Sequence, residues 1–280
     1  MFRLLWRSYV GIVGVLLLFL FTLTAVFAPW IAPYPQDAKK AVHLERMLQP
    51  PSREHLLGTD DMGRDILSRI LFGARISLAI GVISIFFACS IGALLGMIAG
   101  YIGGLLDEII MRIADIFMSV PYVILGMAVA VALRPGTNNV VIAISVAFWP
   151  ATARLMRGQV LSIREKEYVE ASKASGGSAW WVMMVHIAPN SIAPIVVQAT
   201  IQIGWAILLA ATLGFIGVGV QPPLPEWGLI TSTGRQYMLN AWWYPAFPGL
   251  AIVITVIAFN LIGDALRDIL DPYLRGGLLR

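Results

Sequence analysis

With one cysteine, four lysines and three histidines in 280 residues, the chain has little with which to build the usual soluble chemistries. Cys89 alone makes no intrachain disulfide, and its place within an apolar stretch predicts a packed thiol. No G-x-x-x-x-G-K-[ST] occurs and no lysine follows a glycine-rich loop, so any ATP is handled by other chains. H-E-x-x-H and G-x-S-x-G are missing too. An intramembrane protease needs a nucleophile and a base within its spans, and His186, the histidine nearest a span, has no partner in reach of sequence reasoning. Charge is also scarce, at 13% of residues against about 25% in soluble proteins.

Apolar residues make up 58% of the chain, and mean hydropathy is +0.79. Six stretches hold no charged residue: 8–36, 76–106, 116–133, 135–153, 187–225 and 236–263. Each approaches or exceeds the roughly 18 residues that cross a hydrocarbon core, where one charge costs on the order of 3 kcal/mol. None shows the charged face of a soluble core helix. The reading is an all-α membrane protein with six spanning helices. Val10 to Ala32 exceeds the roughly 7–15 residues of a signal-peptide core and reads as a retained first span.

An even number of spans places both termini on one side. Arg3 and Arg7, with no acid among the first seven residues, put that side in the cytoplasm, although the overall Lys/Arg bias is weak. The expected divisions are 1–35 (cytoplasmic start and first span), 36–75 (external segment), 76–268 (a five-helix core with a cytoplasmic loop at 154–188) and 269–280 (cytoplasmic tail). Prolines 33, 35, 50 and 51 favour extended chain in the external segment, and Asp65–Phe72 predicts a short helix leading into span two. His43, Glu54, His55, Asp60, Asp61 and Asp65 follow no metal-ligand spacing; helix capping and loop docking account for them, and no metal site is expected.

Gly92, Gly96, Gly100 and Gly104 recur at i+4 and predict a smooth helix face for close packing, either within this subunit or against a second membrane subunit. Span three is expected to open at Asp115 and span five at Pro189 and Pro194, with these prolines and Pro121 in first turns. Span five should end near Leu213. The following Gly217, Gly219, Pro222, Glu226 and Trp227 would form an external mouth facing a binding protein. Trp242-Trp243-Tyr244 reads as interfacial anchoring, and Asp264, Arg267 and Asp268 as helix-face ion pairs.

Residues 154–186 gather eight charges between two uncharged spans. Ser162-Ile163-Arg164-Glu165 fits a capping box that starts a short helix, stopped after Ser175 by Gly176-Gly177. A second short helix from about Ser178 to His186 would complete an elbow under the membrane.

These residues carry a resemblance. Glu170-Ala171-Ser172, three residues, Gly176, then His186-Ile187-Ala188-Pro189 resembles the EAA loop of ABC import permeases, departing from it at Ser172, His186 and Ala188. The remainder resembles the second permease subunit of the dipeptide/oligopeptide/nickel importers. The external signature lies in Gly58-Thr59-Asp60, Gly63-Arg64-Asp65, Ser68-Arg69 and Gly73 to Leu78, and later motifs in Phe215 to Gly219, Pro222-Pro223, Pro225 to Gly228, Asn260 to Asp268 and Asp271-Pro272. The resemblance implies a type I ABC permease core that catalyses nothing and binds no cofactor. It also implies a second permease, two cytoplasmic ATPases holding ATP and Mg, an external substrate-binding protein, and residence in a bacterial or archaeal inner membrane. Glu170, Ala171, Ser172 and Gly176 would meet an ATPase. An ion-coupled secondary transporter or channel is the alternative; it would normally keep an ionisable group within a span.

Overall fold

The computed structural model describes residues 9–270; Arg3, Arg7, Asp271, Pro272 and the rest of the tail lie outside them. Among the described residues, five helices are long and apolar enough to cross a membrane: α1 (Tyr9–Ile31), α2 (Ile66–Ile102), α5 (Thr137–Ile163), α7 (Ala179–Ile216) and α9 (Trp243–Leu270). Between α2 and α5 lie α3 (Gly104–Ser119) and α4 (Tyr122–Leu133), bent by 94°. Two short helices, α6 (Glu167–Ala174) and α8 (Trp227–Gly234), follow α5 and α7. No strand is formed among the described residues.

The expected third span is therefore broken. Proline disfavours helical geometry in the residue before it, and Val120 is extended (φ −95°, ψ 131°), so α3 stops at Ser119 and α4 restarts behind Pro121. Asp115 opens nothing; it sits inside α3. At 12 residues, α4 is about 18 Å long and cannot cross a hydrocarbon core alone.

Three other boundaries differ from expectation. The α2 helix runs unbroken for 37 residues from its cap at Asp65, so 65–72 is its first two turns and not a separate helix. The α5 helix continues to Ile163 through a stretch of good helix formers that carries Arg154 and Arg157. Arg157 donates Nε and Nη2 to Asp107 at 2.6 Å each, and Arg154 pairs with Asp115, pinning α3 along α5. In α7, Pro194 lies in the interior, and the predicted 178–186 helix is continuous with the span. A π-helical stretch, Val182–Ile187, joins them, with Ala188 N–H donating to the carbonyl of Met183 five residues back. Pro189 lacks an N–H, and the π turn absorbs that missing donor without a break. The helix ends at Ile216, three residues past Leu213, where Gly217 turns left-handed (φ +89°).

The tightest seam joins α2 and α5. A Cβ added at Gly92 would lie 2.5 Å from the Trp149 carbonyl oxygen, at Gly96 2.2 Å from that of Ala153, and at Gly100 2.9 Å from Val160 Cβ. The close contact is thus inside this chain. Gly104 takes no part: α2 ends at Ile102, and Gly104 (φ +61°) starts α3 with nothing within 4 Å. Cys89 faces Thr152 Oγ1 and Gln202 Oε1, both at 3.7 Å, where α2, α5 and α7 meet.

Candidate coupling site

At one end of the bundle, α6 hangs between α5 and α7. The Ser162–Glu165 capping box does not form, because Ser162 still belongs to the last turn of α5; Lys166 precedes α6 with no side-chain cap. The glycine stop is present. Gly176 (φ +84°) donates its N–H to the Lys173 carbonyl and Gly177 donates to that of Ser172, the paired bonds of a Schellman end. Ser178 then caps α7, accepting the Trp181 N–H at 3.3 Å.

One side of α6 is anchored. Val169 is fully buried among Met97, Met156, Val160, Ile163, Val182, Met183 and Ile187, which come from α2, α5 and α7. Lys173 Nζ sits 5.3 Å from the Tyr101 ring centroid, and Arg164 Nη1 donates to the Gly100 carbonyl at 2.9 Å, so the elbow is also tied to the end of α2.

The other side is open. Glu167, Glu170, Ala171 and Ala174, at i, i+3, i+4 and i+7, are exposed along one face, while Ser172 is half-buried. The Glu170 carboxylate makes no hydrogen bond or ion pair among the described residues. In the same elbow, Tyr168, Trp180, Trp181, Met184 and Val185 are large, apolar and exposed. Sequence reading overlooked this patch, although the adjacent tryptophans after Gly176-Gly177 were a signal for it. A rigid helix with one face locked to three spans and the other free can transmit displacement.

At the opposite end, residues 32–65 fold into a cap in place of an extended strand, with 3₁₀ turns at Pro35–Ala38 and Leu44–Arg46. The signature residues are its internal scaffold. Asp65 caps α2 by accepting the Ser68 N–H and Oγ–H, and its other oxygen pairs with His55 Nδ1 at 3.0 Å. Asp60 accepts the N–H groups of Met62 and Arg64 and the Arg64 Nε–H. Thr59 is fully buried and accepts from Gln49 N–H; Gly58 and Gly63 are left-handed turns at φ +77° and +73°. His43 pairs with Asp37 at 3.1 Å.

The expected external mouth is only partly surface. Trp227 is fully buried and donates Nε1–H to the Ile70 carbonyl at 2.9 Å. Glu226 is buried as the cap of α8, accepting from Gly228 and Leu229 N–H and from Ser77 Oγ–H. Gly217 and Pro222 remain exposed, whereas Gly219 packs back on Gly214. A glutamate at a helix start next to tryptophan is a capping signature as much as a docking one. Trp243 and Tyr244 are likewise buried, the Tyr244 hydroxyl donating to Asp61 at 2.8 Å, and Trp242 alone of that trio is exposed. Asp264, Arg267 and Asp268 are exposed and form no ion pair among the described residues, correcting the expected pairing.

Burial pushes the Glu226 carboxyl above the usual range, with the hydrogen bonds from Gly228, Leu229 and Ser77 opposing it. The folded chain thus holds this proton at pH values where an unfolded one has lost it, and the group's contribution to stability falls as pH rises through its folded pKa. Stability should fall as pH rises above the ordinary carboxylate range, Glu226→Gln should lose part of that fall in melts of the purified protein, and Glu226→Ala should cost on the order of 2 kcal/mol at any pH by uncapping α8.

Residues 92–276 match the family described as binding-protein-dependent transport system inner membrane component, and residues 1–51 match the N-terminal TM domain of oligopeptide transport permease C. The chain is 45% identical to the probable D,D-dipeptide transport system permease protein DdpC of Escherichia coli, an alignment covering 96% of this chain and 91% of that one. It is 44% identical to the dipeptide transport system permease protein DppC of Alkalihalophilus pseudofirmus (98% and 89% covered). Identity to the glutathione transport system permease protein GsiD of Pectobacterium atrosepticum is 43% (96% and 89%). A chain of the inward-facing MetNI methionine ABC transporter superposes with a TM-score of 0.61 at 22% identity, covering 74% of this chain and 98% of that one. That likeness fixes the fold as a type I permease.

Proposed function

Because the chain belongs to the inner-membrane components of binding-protein-dependent transport systems, among the C-type permeases of ABC importers, we propose that it forms half of a translocation path for short peptides and couples that path to ATP hydrolysis through α6. Permease subunits of this family are non-catalytic and work in the membrane with ATPase and substrate-binding partners. In the assembly we propose, this chain pairs with a second permease, two ATPases carry ATP and Mg, and the binding protein meets the cap. Both termini and the elbow then face the cytoplasm. Peptide cargo is supported by relatives named for dipeptide and glutathione transport.

The observation that carries the reading is the two-sided elbow: Val169 locked among three spans, Glu170 and Ala171 exposed on the other face, and Trp180 and Trp181 exposed at the start of α7. The Glu170 carboxylate is unpaired among the described residues. Two Arg–Asp pairs lie on α5 and α3, each cation matched by its own carboxylate at the elbow end.

Affinity purification of the tagged chain from its native membrane tests this. A second permease and P-loop ATPases should copurify, and the isolated complex should hydrolyse ATP and take up labelled dipeptide in vesicles. Recovery of the chain alone, with uptake driven by an ion gradient, would overturn the assignment.

A further inference from the structure

Arg75 lies on α2 about 13 Å along the helix from Ile66, towards the cap end. It is exposed and makes no ion pair or hydrogen bond among the described residues. Two grooves meet at it. One, of 510 Å³, runs between α1 and α2 and is lined by Leu18, Thr22, Val26 and Val82; the other, of 460 Å³, runs between α2 and α5 and is lined by Phe87, Val141 and Ile142. Arg75, Ala79 and Ile83 line both grooves. At i, i+4 and i+8, they form one ridge that separates the grooves and carries a cation at its cap-end tip.

The second groove begins at Thr137 and Asn138, the first turn of α5. That turn has no side-chain cap, so N–H donors and the positive end of a helix dipole stand on the same side as Arg75. A cation at the apolar–polar boundary beside such grooves is met by water or by an anionic head group. Two channels divided by one ridge, with a cation above, suit a molecule that has one anionic head and two apolar tails. A partner helix would fill one groove and leave the other open.

We propose that this face binds one phospholipid, its phosphate on Arg75 and the α5 first turn and its acyl chains on either side of the Ala79–Ile83 ridge. Surrounding lipid tails are as apolar as the grooves, so the tails fix position and the head group sets affinity. One arginine at the membrane surface favours a net-anionic lipid roughly fivefold.

The test uses the complete transporter, extracted and extensively delipidated, with retained lipids identified by mass spectrometry. Wild type should keep a phospholipid enriched roughly fivefold in anionic head groups over the bulk membrane. Arg75→Gln should abolish the enrichment, Arg75→Lys should keep most of it, and Ala79→Trp should expel the lipid with the arginine still in place. A photoreactive residue at position 79 should give a lipid adduct. An unchanged enrichment in Arg75→Gln would overturn the proposal. So would a position-79 adduct to the partner permease, which would make Arg75 a partner contact.

Discussion

Gly96→Val should leave almost no folded permease in the membrane. The first atom of any side chain at position 96 would stand 2.2 Å from the Ala153 carbonyl oxygen, and that oxygen belongs to the helix backbone of α5 and cannot rotate away. Relief requires α2 and α5 to separate, and the neighbouring contacts at Gly92 and Gly100 open with them. In lipid this is costly, because helix pairing there rests on close packing, with no hydrophobic effect to hold a loosened pair together. A loss of about 4–5 kcal/mol, the range of the most damaging core substitutions, would consume most of a membrane domain's margin. Gly158→Ala is the control: it lies on α5 with nothing within 4 Å, and alanine is the better helix former. Membrane accumulation and trypsin resistance of tagged chains should separate the two. Normal accumulation and uptake by Gly96→Val would show that the seam does not hold the bundle together.

The second large effect falls on coupling. In the assembled transporter, Glu170→Ala should lower peptide uptake tenfold or more while leaving protein levels unchanged, because the carboxylate has no partner among the described residues whose loss could unfold the chain. A charge-assisted hydrogen bond across an interface is worth about 1.5–3 kcal/mol, which corresponds to roughly 10–150-fold. Hydrolysis by the ATPases should persist and lose its dependence on loaded binding protein. Val169→Asp should do the reverse, burying an unpaired charge among Met156, Val182 and Ile187 and depleting the protein itself. Uptake and hydrolysis measured on the same vesicles distinguish these outcomes. Wild-type coupling in Glu170→Ala would remove α6 from the transmission path.

The sequence disclosed the solvent of each segment better than its contacts. Uncharged runs located the membrane helices because a charge in hydrocarbon is expensive wherever it stands. The same runs could not show that one of them turns through 94° at Pro121, since hydropathy carries no direction. Glycine spacing announced a close approach but not its partner, and counting Gly104 with the others overlooked that a helix must first continue for a face to exist. The capping box at Ser162 was a valid local pattern overruled by the longer helix feeding into it. Glu226 and Trp227 misled for a related reason: a polar residue beside an aromatic one suits a surface and a buried cap equally well, and only the approach of α2 decides between them. The elbow was more legible, because its glycine stop and its charges are local features. Val169, the residue that fastens it, looks in sequence like any other valine.

The unbroken length of α2 has a mechanical meaning. It begins at the Asp65 cap, amid the His55 and Asp37 network, and ends about 55 Å away, where Gly100 receives Arg164 and Tyr101 receives Lys173. The two ends of the molecule are therefore not two devices needing a relay of side chains between them. They are the two tips of one helix, so a tilt of α2 about a point between them displaces both tips together, in opposite directions.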